Sequence, residues 1–161
     1  MFGVRVHAWT MEQTVDVIDE RLRNDAFTQH VVVNVSKVVN MRKDLELRAA
    51  VEGCDIINID GAGIVFGGRL LGHKIPERVA GIDLFHRLLE YAEETGQSPF
   101  FLGAKADVLD AAIANIREQY PRLRSGGYHP GYFWDEEEAT VEEIRQSGAD
   151  MLFVGISSPM K

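Results

Sequence analysis

A single cysteine, Cys54, stands in 161 residues, and one thiol excludes any internal disulfide. Its place at the head of the apolar run Cys54–Ile59 points to a buried, inert thiol rather than a nucleophile. No apolar stretch approaches the roughly 20 residues of a membrane span. The start, Met1-Phe2-Gly3-Val4-Arg5, lacks the charged-then-apolar order of a secretion signal, so a cytoplasmic protein is expected. Basic residues are outnumbered, 17 Lys and Arg against 25 Asp and Glu for a net charge of −8, which argues against a nucleic-acid partner. Metal patterns are missing as well. No Asp-x-Asp occurs, and His7, His30, His73, His86 and His129 show no ligand spacing. Asp135-Glu136-Glu137-Glu138 is better explained by the dipole of the helix it opens. No metal site and no cofactor are expected, and any anionic ligand must be met by local groups.

What is present is an ordinary globular composition, 45% hydrophobic and 26% charged, in a length that suits one α/β domain over residues 1–161. Apolar periodicity predicts a strand at Gly3–His7, a helix from Met11 to Arg23 capped by Thr10 and Gln13, and a strand at Gln29–Val33 ending at Asn34. Residues 36–51 read as helical, in two pieces. A strand over Cys54–Ile59 precedes a helix over Ile64–Leu71, which Gly67-Gly68 and Gly72 weaken and end. After a loop over His73–Val79 come a helix over Ile82–Glu94, a strand at Pro99–Leu102, a helix from Asp107 to Tyr120 and a strand near Leu123–Tyr128. A helix over Glu136–Gln146 and a strand over Met151–Ile156 complete the order. Strands alternating with helices predict a mostly parallel sheet covered on both faces, with no internal repeat.

In such sheets ligands bind outside the carboxyl ends of the strands. Asn34, Asp60, Gly103-Ala104-Lys105 and Gly155-Ile156-Ser157-Ser158 all follow strands, and Arg78 lies in the loop after the strand that ends at Ile59. At Asn58-Ile59-Asp60-Gly61-Ala62-Gly63 a carboxylate meets a turn that only small residues can make. Gly61 and Gly63 would let backbone N–H groups approach a phosphate, and the following helix would aim its positive end at the same point. Read alone, the same segment is better explained as a strand-to-helix turn with an aspartate cap.

Together these residues resemble the WecG/TagA/CpsF family of bacterial glycosyltransferases. The resemblance runs in order through Val33-Asn34, Asn58–Gly63, Glu77-Arg78-Val79-Ala80-Gly81-Ile82-Asp83, Phe100–Gly103, Tyr120-Pro121, Gly131-Tyr132-Phe133 and Val154–Pro159. It implies a Rossmann-like fold, transfer of a sugar from a UDP-sugar to a polyprenyl-diphosphate-linked acceptor with inversion at the anomeric carbon, no required metal, and Asp60 as catalytic base. It also implies work at the inner face of the cell membrane in cell-surface polysaccharide synthesis. Two departures stand out. Val32-Val33-Asn34 replaces the family's usual Thr-x-Asn, so a hydroxyl beside the base is missing, as in a subgroup with a different sugar. The family pattern also continues past Pro159 with a basic segment for acceptor and membrane contact, so this chain reads as truncated at Lys161. Apolar surface left by such a loss would favour self-association into a homo-oligomer.

Within that resemblance Arg78 would fork onto a phosphate, and Asn34 would orient sugar hydroxyls or the base. Gly61, Gly63, Gly103, Lys105, Tyr132 and Ser157 complete the substrate-binding set. Each has a plainer reading beside it: Arg78 in an ion pair with Glu77 or Asp83, Asn34 ending a strand, Lys105 solvated, and the aromatic segment Tyr128–Trp134 pinned to the core by its rings. Two other functions are weighed against transfer. A dinucleotide-binding oxidoreductase fits Gly61-Ala62-Gly63 in part, but its glycine-rich turn should follow the first strand and its third glycine should fall at 66 rather than 67. A non-catalytic nucleotide-binding fragment is the third reading.

Overall fold

Thr10 sets where the first element begins. In the computed structural model, which describes residues 3–156, the Thr10 hydroxyl accepts from the Gln13 N–H at 3.2 Å, and the Gln13 side chain accepts from the Thr10 N–H at 3.0 Å. This reciprocal pair satisfies donors that the first helical turn leaves open. Helix α1 follows over Met11–Arg23. Then come β1 (His30–Val33), α2 (Val35–Asn40), α3 (Leu45–Gly53), β2 (Ile56–Ile59), α4 (Ala62–Leu70), α5 (Gly81–Thr95), β3 (Pro99–Gly103), α6 (Ala106–Gln119), β4 (Gly127–His129), α7 (Glu137–Gln146) and β5 (Met151–Gly155).

The α/β class is as expected, and every strand pairing among the described residues is parallel. Two compact units divide the chain between Arg87 and Leu88. In the first, β1 pairs with β2 in the register His30 to Ile56 through Val33 to Ile59. Val33, Ile57 and Ile59 pack with Val38, Met41, Val51, Ile64 and Ile75 in its core. In the second, β3 lies between β4 and β5. Every residue of β3 is buried, as a central parallel strand requires.

One predicted strand is not found. Residues 3–7 form no ladder, although the His7 N–H donates to Ile57 O at 2.7 Å. The Ile57 N–H that a strand's carbonyl would accept is taken by His7 Nδ1 at 2.9 Å. The strand expected from Leu123 starts only at Gly127, because Leu123 N–H turns back to Tyr120 O at 3.1 Å. Helix α4 runs through Gly67-Gly68 and ends before Gly72, whose φ is +83°. Cys54 is half-buried rather than buried, and its Sγ donates to Ala50 O at 3.3 Å. Burial pushes the thiol above its ordinary pKa, so it remains protonated and unreactive at neutral pH. Among the described residues no helix is long and apolar enough to cross a membrane.

Candidate functional site

The parallel ladder between β1 and β2 carries the chain one residue past the strands, where the Asp60 N–H donates to Val33 O at 3.0 Å. Gly61 then leaves the sheet with φ +102°, a conformation that side chains rarely adopt. Asp60 is half-buried, and its Oδ2 accepts from the Gly81 N–H at 3.3 Å. The aspartate therefore does cap a helix, but it is α5 and not α4, whose cap residue Gly61 offers no side chain. One carboxylate oxygen is held at the positive end of α5.

Asn34 sits beside this turn, and a Cβ built on Gly61 would lie 3.9 Å from Asn34 Cβ. Its Oδ1 accepts from the Lys37 N–H at 2.9 Å, capping α2. The plain reading of Asn34 is thus correct as far as its oxygen goes, while its exposed amide nitrogen is not used by the cap. Gly63 has a packing role, since a Cβ there would come 2.9 Å from Val35 Cγ2.

Arg78 is delivered to the same end of the sheet by a tethered loop. Arg69 donates to Ile75 O at 2.8 Å and Pro76 O at 3.3 Å, and Glu77 Oε2 accepts from the Met11 N–H at 3.0 Å. Val79 N–H donates to Ile59 O at 2.9 Å, one residue before Asp60. With Ile75, Val79 and Ala80 buried, the loop backbone is fixed while the Arg78 side chain stays exposed. It pairs with Asp83 at 3.4 Å, the partner that sequence had offered beside Glu77. Such an exposed pair is weak, so an incoming phosphate would meet little competition.

Lys37 was missed by sequence reasoning. Its ammonium donates to Val32 O at 3.0 Å from a half-buried position. Burial pulls its pKa below the ordinary lysine range, and the negative charges of Cys54, once ionised at alkaline pH, and of Asp60 pull it back up. The available signal was a lone cation one turn past Asn34 in a helix otherwise reading Val35, Val38 and Val39. A second missed feature is a buried chain of hydrogen bonds beneath the corner. His30 Nε2 donates to Asn58 Oδ1 at 2.9 Å, Asn58 Nδ2 donates to Thr14 Oγ1 at 3.0 Å, and Thr14 Oγ1 donates to Thr10 O at 2.9 Å. Asn58 and Thr14 are wholly inaccessible, and this pairing removes the cost of burying their polar atoms.

In the second unit Gly103 has φ +144°, and a Cβ there would fall 2.3 Å from Gly155 O. Ala104 N–H donates to that same oxygen at 3.1 Å, and Gly131 N–H donates to Ala104 O at 2.9 Å. Gly131 packs so closely that its Cβ would lie 2.9 Å from Gly103 Cα. This pins the aromatic segment beside the end of β3, with Phe133 stacked on Trp134 at 5.2 Å and Tyr132 exposed. Lys105 occupies the cap position of α6, and its exposed side chain makes no capping bond. A hollow of about 200 Å³ in this unit is lined by Phe101, Ile113, Arg117, Tyr120 and Ser125 among others, and by none of the predicted site residues. Ser157 lies outside the described residues.

The structure thus joins Asn34, Asp60, Gly61 and the Arg78 loop at one strand end, with Lys37 added, and builds a separate glycine turn from Gly103, Ala104 and Gly131. Known proteins similar to this chain are sugar transferases by name. N-acetylglucosaminyldiphosphoundecaprenol N-acetyl-beta-D-mannosaminyltransferase of Bacillus spizizenii is 34% identical over 111 residues, covering 69% of this chain and 43% of that protein. Its namesake in Bacillus subtilis is 32% identical over 117 residues, 73% and 45% of the two chains. That of Staphylococcus aureus is 30% identical over 164 residues, 99% and 63% of the two chains. This chain therefore spans about half the length of the relatives it matches. Residues 1–161 match the family described as "Glycosyl transferase WecG/TagA/CpsF family" from end to end, a match that favours sugar transfer over dinucleotide chemistry, and the chain belongs to that family.

Proposed function

We propose that this chain carries the base and donor-contacting groups of an inverting glycosyltransferase, one that moves a sugar from a UDP-sugar to a polyprenyl-diphosphate-linked acceptor. The relatives' printed names, in which an N-acetylmannosaminyl group goes to an N-acetylglucosaminyl diphosphoundecaprenol, support an N-acetylhexosamine as the transferred class. Such a step builds cell-surface polysaccharide at the cytoplasmic face of the membrane.

The acceptor hydroxyl attacks the anomeric carbon, and its proton passes to the Asp60 carboxylate. The bond from that carbon to the diphosphate oxygen breaks on the opposite face, with its electron pair leaving on UDP. A carboxylate positioned beside the attacking hydroxyl acts as general base for that proton. The observation that carries this reading is the carboxylate at the end of β2, half-exposed and oriented by the Gly81 N–H at 3.3 Å. Arg78, exposed on a fixed loop, suits a diphosphate oxygen, and the Asn34 amide nitrogen suits a sugar hydroxyl. Lys37 adds positive charge near the base. Gly103, Lys105, Tyr132 and Ser157 are proposed as substrate-binding residues of the remainder of the chain. Val32 offers no hydroxyl, and its Cγ2 lies 3.3 Å from where a Gly81 Cβ would be. A sugar there meets a methyl group, which bears on specificity.

Thermal melting of the chain tests the donor half of the proposal. UDP should raise the melting temperature without added metal, and NAD should produce no comparable rise. A rise with NAD and none with UDP would overturn it.

A further inference from the structure

We propose that the outer side of α4 and the turn after it form a docking surface for an anionic lipid bilayer, within this chain's own fold and apart from any further segment. Helix α4 buries Ile64 and Gly68 on one side. Ala62, Phe66 and Leu70 repeat every fourth residue on another, and all three are exposed. Phe66 is 73% accessible, Leu70 78% and the following Leu71 62%. Three large apolar side chains within six residues of surface is more than scattered exposure accounts for.

Charge selects the occupant. The chain has 25 acidic residues, yet the stretch 61–76 contains none, while it contributes Arg69, His73 and Lys74. All three are exposed beside the apolar side chains. Arg69 holds Ile75 O and Pro76 O and Ile75 is buried, so the turn presents His73 and Lys74 from a fixed backbone. An apolar stripe rimmed by cations is how an interfacial helix meets anionic headgroups. A second copy fits less well, because a two-fold contact through this face would set basic rim against basic rim.

The surface begins two residues after Asp60. Resting in part on the transfer proposed above, it would hold that carboxylate near headgroup level, where a lipid-borne diphosphate lies.

Sedimentation of the chain with vesicles tests this. Vesicles of equal parts phosphatidylglycerol and phosphatidylcholine should bind it, phosphatidylcholine alone should bind far less, and added salt should release it. Phe66→Ser with Leu70→Ser should cut binding about tenfold or more with an unchanged melting temperature, since both side chains already face solvent. Lys74→Glu should weaken binding to the anionic vesicles only. No vesicle binding, or equal binding by the double variant, would overturn the surface. So would a double variant that abolishes self-association in analytical ultracentrifugation while vesicle binding persists. The UDP response of the same double variant separates the two proposals: lost lipid binding with a retained UDP shift is the expected pattern. Lipid binding that depends on Phe66 and Leu70 in a chain deaf to UDP would uphold the surface and sink the transferase reading.

Discussion

Asp60 and Gly81 are joined by a 3.3 Å hydrogen bond from the Gly81 N–H to Oδ2, so the residue that follows β2 also caps a helix beginning 21 residues later. A carboxylate held by one oxygen keeps the other for chemistry. Its bond belongs to the fold, whereas its charge belongs to the proposed reaction, and substitution can separate the two.

Asp60→Asn keeps an oxygen acceptor for Gly81 and removes the base. The variant should retain its melting temperature within a degree or two and its stabilisation by UDP. Transfer should fall by about 10²- to 10⁴-fold, the usual contribution of a positioned general base. Initial rates with a UDP-N-acetylhexosamine and a short-chain polyprenyl-diphosphate acceptor would measure it, in a form of the protein shown to turn over. Undiminished turnover would remove Asp60 from the mechanism.

Two glycines with positive φ give a sharper test of structure. Gly148 has φ +63° with open space around its missing Cβ, while Gly103 has φ +144° and a Cβ there would strike Gly155 O at 2.3 Å. Gly148→Ala should cost about 1 kcal/mol, the penalty of a left-handed alanine. Gly103→Ala must also push apart the backbones of β3 and β5, and should cost more than about 3 kcal/mol. Urea unfolding of both variants checks the order, and equal losses would mean that the close approach at Gly103 is not needed.

That contrast shows what was legible in the sequence. The element order was readable because periodicity and caps are local: Thr10 with Gln13, the apolar spacing of α5 and the all-buried run of β3 each announce themselves within a few residues. Asp60, Asn34 and Arg78 were placed at strand ends by the same logic. Arg78 with Asp83 was legible too, but the tethers that fix this corner were not, because Glu77 reaching Met11, Asp60 reaching Gly81 and Val79 reaching Ile59 join residues far apart in the chain. Lys37 escaped for a related reason. A lysine on a short helix reads as solvated until the fold turns it back onto Val32 O. The 3–7 segment failed as a strand because the His7 ring, which period-2 counting treats as one more polar position, takes the Ile57 N–H for itself.

The buried hydrogen-bond chain beneath the corner predicts how stability depends on pH. His30 donates through Nε2 to Asn58, and burial pulls its pKa below the ordinary histidine value, aided by the charges of Lys37 and His7 and opposed by the Asn58 bond. The unfolded chain takes up a proton near pH 6.5, and the folded chain does so only at lower pH. Between those points the unfolded state binds more protons, so stability falls as pH falls. Above about pH 6.5 the effect vanishes. Asp55, held below the usual carboxylate range by the Gln29 N–H and by Arg21, loses its contribution only at more acid pH than this, so the two effects separate. His7 is lowered too, by burial and by Arg5, and accounts for part of the slope. His30→Gln keeps an N–H for Asn58 without a titrating group. Melting temperatures recorded from about pH 7.5 to about pH 5 should drop by roughly a few degrees in the native chain and visibly less in His30→Gln. Parallel curves would mean that His30 titrates alike in the folded and unfolded states and that its burial carries no cost for the charged ring.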